Sequence, residues 1–164
     1  MSKYYIAYGS NLNMNQMAKR CHDAVFVGVG MMNNYELVFR GGRHSAVATV
    51  ESKEGSKVPV GLWKISDKDE KMLDRYEGFP KLYIKKEFMI SRGDVQKSAM
   101  IYVMNDGYDY GMPNKIYYET IRQGYDDCHL DRKYLDDAVE KMLDHTEKME
   151  IEERYLLGYR DIRK

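Results

Sequence analysis

The chain has 164 residues, with 26 Lys plus Arg against 26 Asp plus Glu and a formal net charge of zero. That balance excludes a broad nucleic-acid footprint or a polybasic membrane surface, since both need an excess of positive charge. No apolar run approaches the roughly 20 residues that cross a bilayer, and the N-terminus lacks the apolar region of a secretory signal, so a cytoplasmic domain is expected.

Strand-forming residues at 3–8 run into Gly9-Ser10-Asn11, and a short helix follows, capped by Asn13 or Asn15 and reaching about Arg20. A strand that turns into a helix leaves backbone N–H groups unpaired at the junction, which can hold a carboxylate or an oxyanion. A plain tight turn, with Gly supplying the dihedrals, is the alternative. Strands are expected at 24–29 and 35–39, separated by a turn at Asn33-Asn34. Gly41 to Ser45 reads as a flexible polar loop. Strands at 46–50 and 58–65 then flank a charged hairpin loop over 51–57.

Ser66 starts a second helix, with Asp67, Asp69 and Glu70 at the positive end of its dipole. Gly78 is placed to turn the chain out of that helix, and Pro80 forbids its continuation. Strands are expected at 82–90 and 98–104, joined through the turn at Arg92-Gly93-Asp94. Pro113 opens a helix ending near Gly124. Asp131 caps the last clear helix, whose stripe of Tyr134, Leu135, Ala138, Val139, Met142 and Leu143 reads as core packing. Residues 146–164 are highly charged, and a further helix there would end at Gly158. The order implies one α/β domain of α+β type over 1–145, with a charged extension over 146–164. Its sheet is small and mixed, curls towards a barrel and is flanked by helices.

Cys21 and Cys128 fit no C-x-x-C pattern and read as free thiols in a reducing compartment, with a single disulfide left open. His22, His44, His129 and His145 have no metal-ligand spacing, so no metal is expected. The composition is rich in tyrosine, 15 Tyr against 4 Phe and 1 Trp. Tyrosine joins an apolar body to a hydrogen-bonding tip and suits the wall of a polar pocket, although partly buried structural tyrosines give the same count. Glycine-rich phosphate loops, nicotinamide fingerprints and the Gly-x-Ser-x-Gly turn are absent. Ser10 has no His near it in sequence and is a poor candidate nucleophile.

Glu77 is the better candidate for chemistry. It ends the second helix at the negative end of the dipole, among Tyr76, Phe79, Leu82 and Tyr83. Dipole and desolvation both raise a carboxyl pKa, as a general base requires. A solvated Glu at a helix end is the plain alternative.

Tyr8-Gly9-Ser10-Asn11-Leu12 after an opening strand resembles the signature of the gamma-glutamylcyclotransferase-like (AIG2-like) family. The similarity continues in order through Ala48-Thr49-Val50, Val60-Gly61-Leu62-Trp63-Lys64-Ile65 and Leu73-Asp74-Arg75-Tyr76-Glu77-Gly78, then Tyr83, Tyr102-Val103-Met104 and the stretch from Pro113 to Gly124. The resemblance implies a small mixed barrel with flanking helices and no cofactor. It implies an enzyme, a gamma-glutamylcyclotransferase, that cyclises a gamma-glutamyl amide to 5-oxoproline and frees an amine. Glu77 would be its acid/base. Tyr8, Gly9, Ser10 and Asn11 would bind the gamma-glutamyl group, with Tyr117 and Tyr83 (or Tyr102) completing the wall. Arg43 is weighed as a carboxylate partner against a solvated loop residue. The loop around Arg43 and the segment after Gly124 are expected to line the site of the leaving amine. The expected partner is the small gamma-glutamyl substrate, with no nucleic acid and no membrane, and with a homodimer left open. The rival reading is a non-catalytic module that binds a gamma-glutamyl or carboxylate ligand.

Overall fold

Tyr5, Ile6 and Ala7 are all buried, so the first strand is covered on both faces instead of alternating. The reason is its place in the sheet. A computed structural model describes residues 2–92 and 94–145. In it β1 (Ser2–Ala7) lies at the centre of five strands, with β2 (Val25–Gly42), β3 (Ser45–Ser66), β4 (Tyr83–Arg92) and β5 (Val95–Met104) in the order β2-β3-β1-β5-β4. β1 runs antiparallel to β3, with Ile6 opposite Leu62, and parallel to β5, with Tyr5 opposite Met100. Among the described residues four α-helices flank the sheet: α1 (Met14–Arg20), α2 (Asp67–Tyr76), α3 (Lys115–Asp127) and α4 (Lys133–His145).

The sheet curls as expected. Its two edges approach through side chains: the rings of Tyr35 on β2 and Phe88 on β4 meet edge to face at 5.5 Å. A Cβ on Gly30 would stand 2.9 Å from the Ile90 side chain.

Two expectations change. The four short strands over 24–65 are two long ones, and the turn at Asn33-Asn34 and the hairpin loop at 51–57 are both parts of an irregularity within them. Asn34 (φ 63°) and Gly55 (φ 85°) take left-handed conformations, and the Gly55 N–H donates to Asn34 Oδ1 at 3.1 Å. The paired strands bend together there and resume pairing. The chain reverses instead at Arg43 and His44, between the paired Gly42 and Ser45.

The helix opened by Pro113 does not end near Gly124 but continues to Asp127. Gly124 lies inside it because a Cβ would come within 2.7 Å of the Asn13 backbone nitrogen and 2.8 Å of Leu12. It is a point of close approach, not a terminator. The apolar stripe of α4 is buried from Leu135 to Leu143, as expected of core packing. The boundary at 145/146 and the helix considered before Gly158 lie outside the described residues.

Candidate active site

The junction after β1 is a single 3-10 turn, closed by the Leu12 N–H donating to the Gly9 carbonyl at 3.0 Å. Asn13 then caps α1, its Oδ1 accepting from the Gln16 N–H at 3.0 Å. The turn is braced from several directions. Trp63 Nε1 donates to the Asn11 carbonyl at 3.1 Å, Asn11 Nδ2 donates to the Tyr5 hydroxyl at 2.9 Å, and α3 presses against it at Gly124. Ser10 and Asn11 are buried, yet among the described residues nothing accepts from their backbone N–H groups. Such donors, held rigidly, suit an anion.

Glu77 arrives from α2. A capping box at Ser66 and Asp69 starts that helix. A Schellman motif ends it: the Phe79 N–H donates to the Asp74 carbonyl at 2.9 Å and the Gly78 N–H to the Arg75 carbonyl at 3.3 Å. Gly78 sits at φ 63°, as its expected role demands. Glu77 is therefore the C-cap residue, partly buried, and among the described residues no donor hydrogen-bonds its carboxyl. Burial pushes that carboxyl up to about 7, with the charge of Arg20 acting in the opposite direction.

The turn and Glu77 face one cavity of about 250 Å³. All seven residues expected at the site line it: Tyr8, Gly9, Ser10, Asn11, Glu77, Tyr83 and Tyr117. Their hydroxyls are differently engaged. Tyr8 donates to the Tyr102 carbonyl at 2.6 Å and Tyr83 to the Ala48 carbonyl at 2.5 Å, so both act as braces. Tyr117 accepts from the Ala48 N–H at 3.0 Å, which leaves its own proton free to donate. Burial raises the pKa of Tyr5, Tyr8, Tyr83 and Tyr117, keeping these phenols neutral. Ser10 Oγ lies 3.1 Å from the Tyr76 hydroxyl.

Arg43 is exposed on the hairpin turn and lines no part of this cavity, nor does the segment after Gly124. The cation beside the site is Arg20, which sequence reasoning did not single out. Its signal was the brevity of α1: seven residues span about 10 Å, so a long side chain in the last turn can reach back to the turn that begins it. Cys21 and Cys128 are free, buried thiols, pushed by burial up to about 12 and about 11. Among the described residues no cluster of His, Cys, Asp and Glu has the geometry to hold a metal ion. No described helix is long and apolar enough to cross a membrane.

A family model described as "Gamma-glutamyl cyclotransferase, AIG2-like" matches residues 5–125, a span that contains every lining residue of the cavity. The chain is 25% identical over 138 residues to a gamma-glutamylcyclotransferase of Bos taurus, covering 79% of this chain and 73% of that protein. Identity to the gamma-glutamylcyclotransferase of Homo sapiens is 26% over the same length and coverage. Among solved structures, a gamma-glutamyl cyclotransferase superposes with a TM-score of 0.75 at 22% identity, covering 90% of this chain and 99% of that one. An uncharacterized human protein superposes with a TM-score of 0.74 at 24% identity, covering 84% and 86%. These structural likenesses bear on the fold.

Proposed function

This chain belongs to the gamma-glutamyl cyclotransferase, AIG2-like family, and on that footing we propose that it converts a gamma-glutamyl amide to 5-oxoproline and a free amine. One observation carries the reading: a carboxyl whose pKa is raised to about 7 shares a cavity with backbone N–H groups that have no partner among the described residues.

The substrate's α-amine attacks its own γ-carbonyl carbon, forming the ring C–N bond. Attack is intramolecular, so holding one conformer supplies much of the rate. An α-ammonium with a pKa near ~8 is no nucleophile, so the substrate reacts as its free amine, having left one proton to solvent. As that amine attacks, its nitrogen becomes positively charged and must give up a second proton. Glu77, ionised in about half of the molecules at neutral pH, accepts that proton. The negative charge on the former carbonyl oxygen is met by N–H groups at Ser10 and Asn11. Glu77 then returns the proton to the departing nitrogen as the amide C–N bond breaks, which regenerates the enzyme. Tyr117, with a free hydroxyl proton, orients the substrate from beside Gly9. A Cβ built on Gly9 would stand 3.7 Å from that hydroxyl oxygen. Ser10, engaged by Tyr76, belongs to the cradle and attacks nothing.

The test is a panel of gamma-glutamyl amino acids, gamma-glutamyl amines and glutathione, with 5-oxoproline measured in each case. Release from at least one member supports the reading and identifies the leaving amine. No release from any member, with ligands still bound, would favour a binding module instead.

A further inference from the structure

Arg20 ends α1, and three residues of the cavity wall hold its guanidinium. Nη1 donates to Asn11 Oδ1 and lies 3.4 Å from Ser10 Oγ, while Cζ stands 3.3 Å from the centroid of the Tyr76 ring. Arg40, Lys85 and Lys141, which are also partly buried, each meet a carboxylate: Glu51, Glu70 with Asp74, and Glu36. Arg20 differs. Among the described residues no carboxylate pairs with it, although neutral oxygens and an aromatic face fix it in place.

We propose that Arg20 is a positioning residue of the active site, locking Ser10, Asn11 and Tyr76 together and supplying an uncompensated positive charge that favours anions in the cavity. This rests on the cyclotransferase reading, in which the anions are the Glu77 base and the oxyanion. A fixed cation lowers the cost of negative charge on both. It also explains why a carboxyl at a helix C-terminus, with no hydrogen bond from any described residue, ionises near neutral pH at all. Burial raises its pKa and the charge of Arg20 is the force acting against burial.

Among the described residues no cation lines the cavity itself, and Arg20, behind its wall, is the one whose charge acts on Glu77. Tyr5 from β1, Tyr83 from β4, Tyr102 from β5 and Tyr117 from α3 line it with Tyr8 and Tyr76, and none of these carries a positive charge. Asp74, behind Tyr102, is bonded to that phenol and paired with Lys85.

Two variants separate charge from packing. R20Q keeps an N–H donor without the charge, and R20K keeps the charge; R20M substitutes for R20Q if the latter fails to fold. The Glu77 carboxyl is titrated by carbon-13 NMR in each protein, and kcat/KM is followed against pH with a gamma-glutamyl substrate. In R20Q both the Glu77 midpoint and the acid limb of kcat/KM move to higher pH, and kcat/KM below neutrality falls on the order of 10- to 100-fold. R20K holds the midpoint and recovers most of the rate. An unmoved midpoint in R20Q overturns the proposal, and so does an R20K protein as impaired as R20Q. A wild type that releases no 5-oxoproline sinks the reaction but not the titration, which still judges Arg20.

Discussion

Glu77→Gln should have opposite effects on activity and stability. Gln matches the side-chain volume but cannot take the proton from an attacking amine. General acid–base catalysis contributes about 10²–10⁴-fold, so kcat/KM for 5-oxoproline release should fall by that factor, or about 3–5 kcal/mol of barrier. Stability moves the other way. Folding raises this carboxyl from 4.5 to about 7, so the native state binds the proton more tightly than the unfolded chain. The associated stability is fully present below pH 4.5 and is lost as pH rises through about 7. Full burial would set the loss at about 3 kcal/mol. Water reaching the partly exposed side chain reduces it to about 1–2 kcal/mol. Urea unfolding at pH 4 and pH 8 should therefore show E77Q matching wild type at the lower pH and exceeding it at the higher. Wild-type turnover by E77Q would refute the base assignment. An identical pH dependence of stability in the two proteins would refute the account of its burial.

The remaining predictions concern the cavity wall. Ser10→Ala should keep kcat/KM within about tenfold, because the proposed mechanism meets the anion with backbone groups; complete loss in the 5-oxoproline assay would return the serine to a covalent role. Tyr117→Phe leaves the Ala48 N–H without its acceptor and should cost about 1–3 kcal/mol in urea unfolding, with a rise in KM from the lost donor. Gly124→Ala forces a methyl group against the backbone at Leu12 and Asn13. It should lower the melting temperature by the equivalent of about 1–3 kcal/mol and reduce kcat by displacing the turn. An unchanged melting curve would contradict the close approach.

The parts of the site that sequence reveals are those built locally. The strand-to-turn junction, the Ser66 cap, Gly78 beyond the helix and Glu77 between them all depend on neighbours a few residues away. What the sequence hides depends on contacts between distant segments. Gly124 looks like a helix stop until α3 is seen against the Leu12 turn. Asn34 and Gly55 look like two turns because their left-handed geometry suits turns, and only the pairing of β2 with β3 makes them one bend. Arg20 looks like an ordinary cation complementing the C-terminus of a short helix, and its stacking on Tyr76 appears only in three dimensions. The tyrosine count hinted at a polar pocket without saying that Tyr8 and Tyr83 would bond to backbone carbonyls.

The neutral phenols have a consequence for ligands. With Tyr5, Tyr8, Tyr83 and Tyr117 kept protonated far above neutrality, the cavity wall gains or loses a single proton near pH 7, the one on Glu77. It is a one-proton compartment. Alkalinisation makes it more negative by one charge, which should weaken retention of an anion such as 5-oxoproline and strengthen that of a cationic amine. Product inhibition by the acid should thus ease, and inhibition by the amine deepen, over the same interval in which Glu77 ionises.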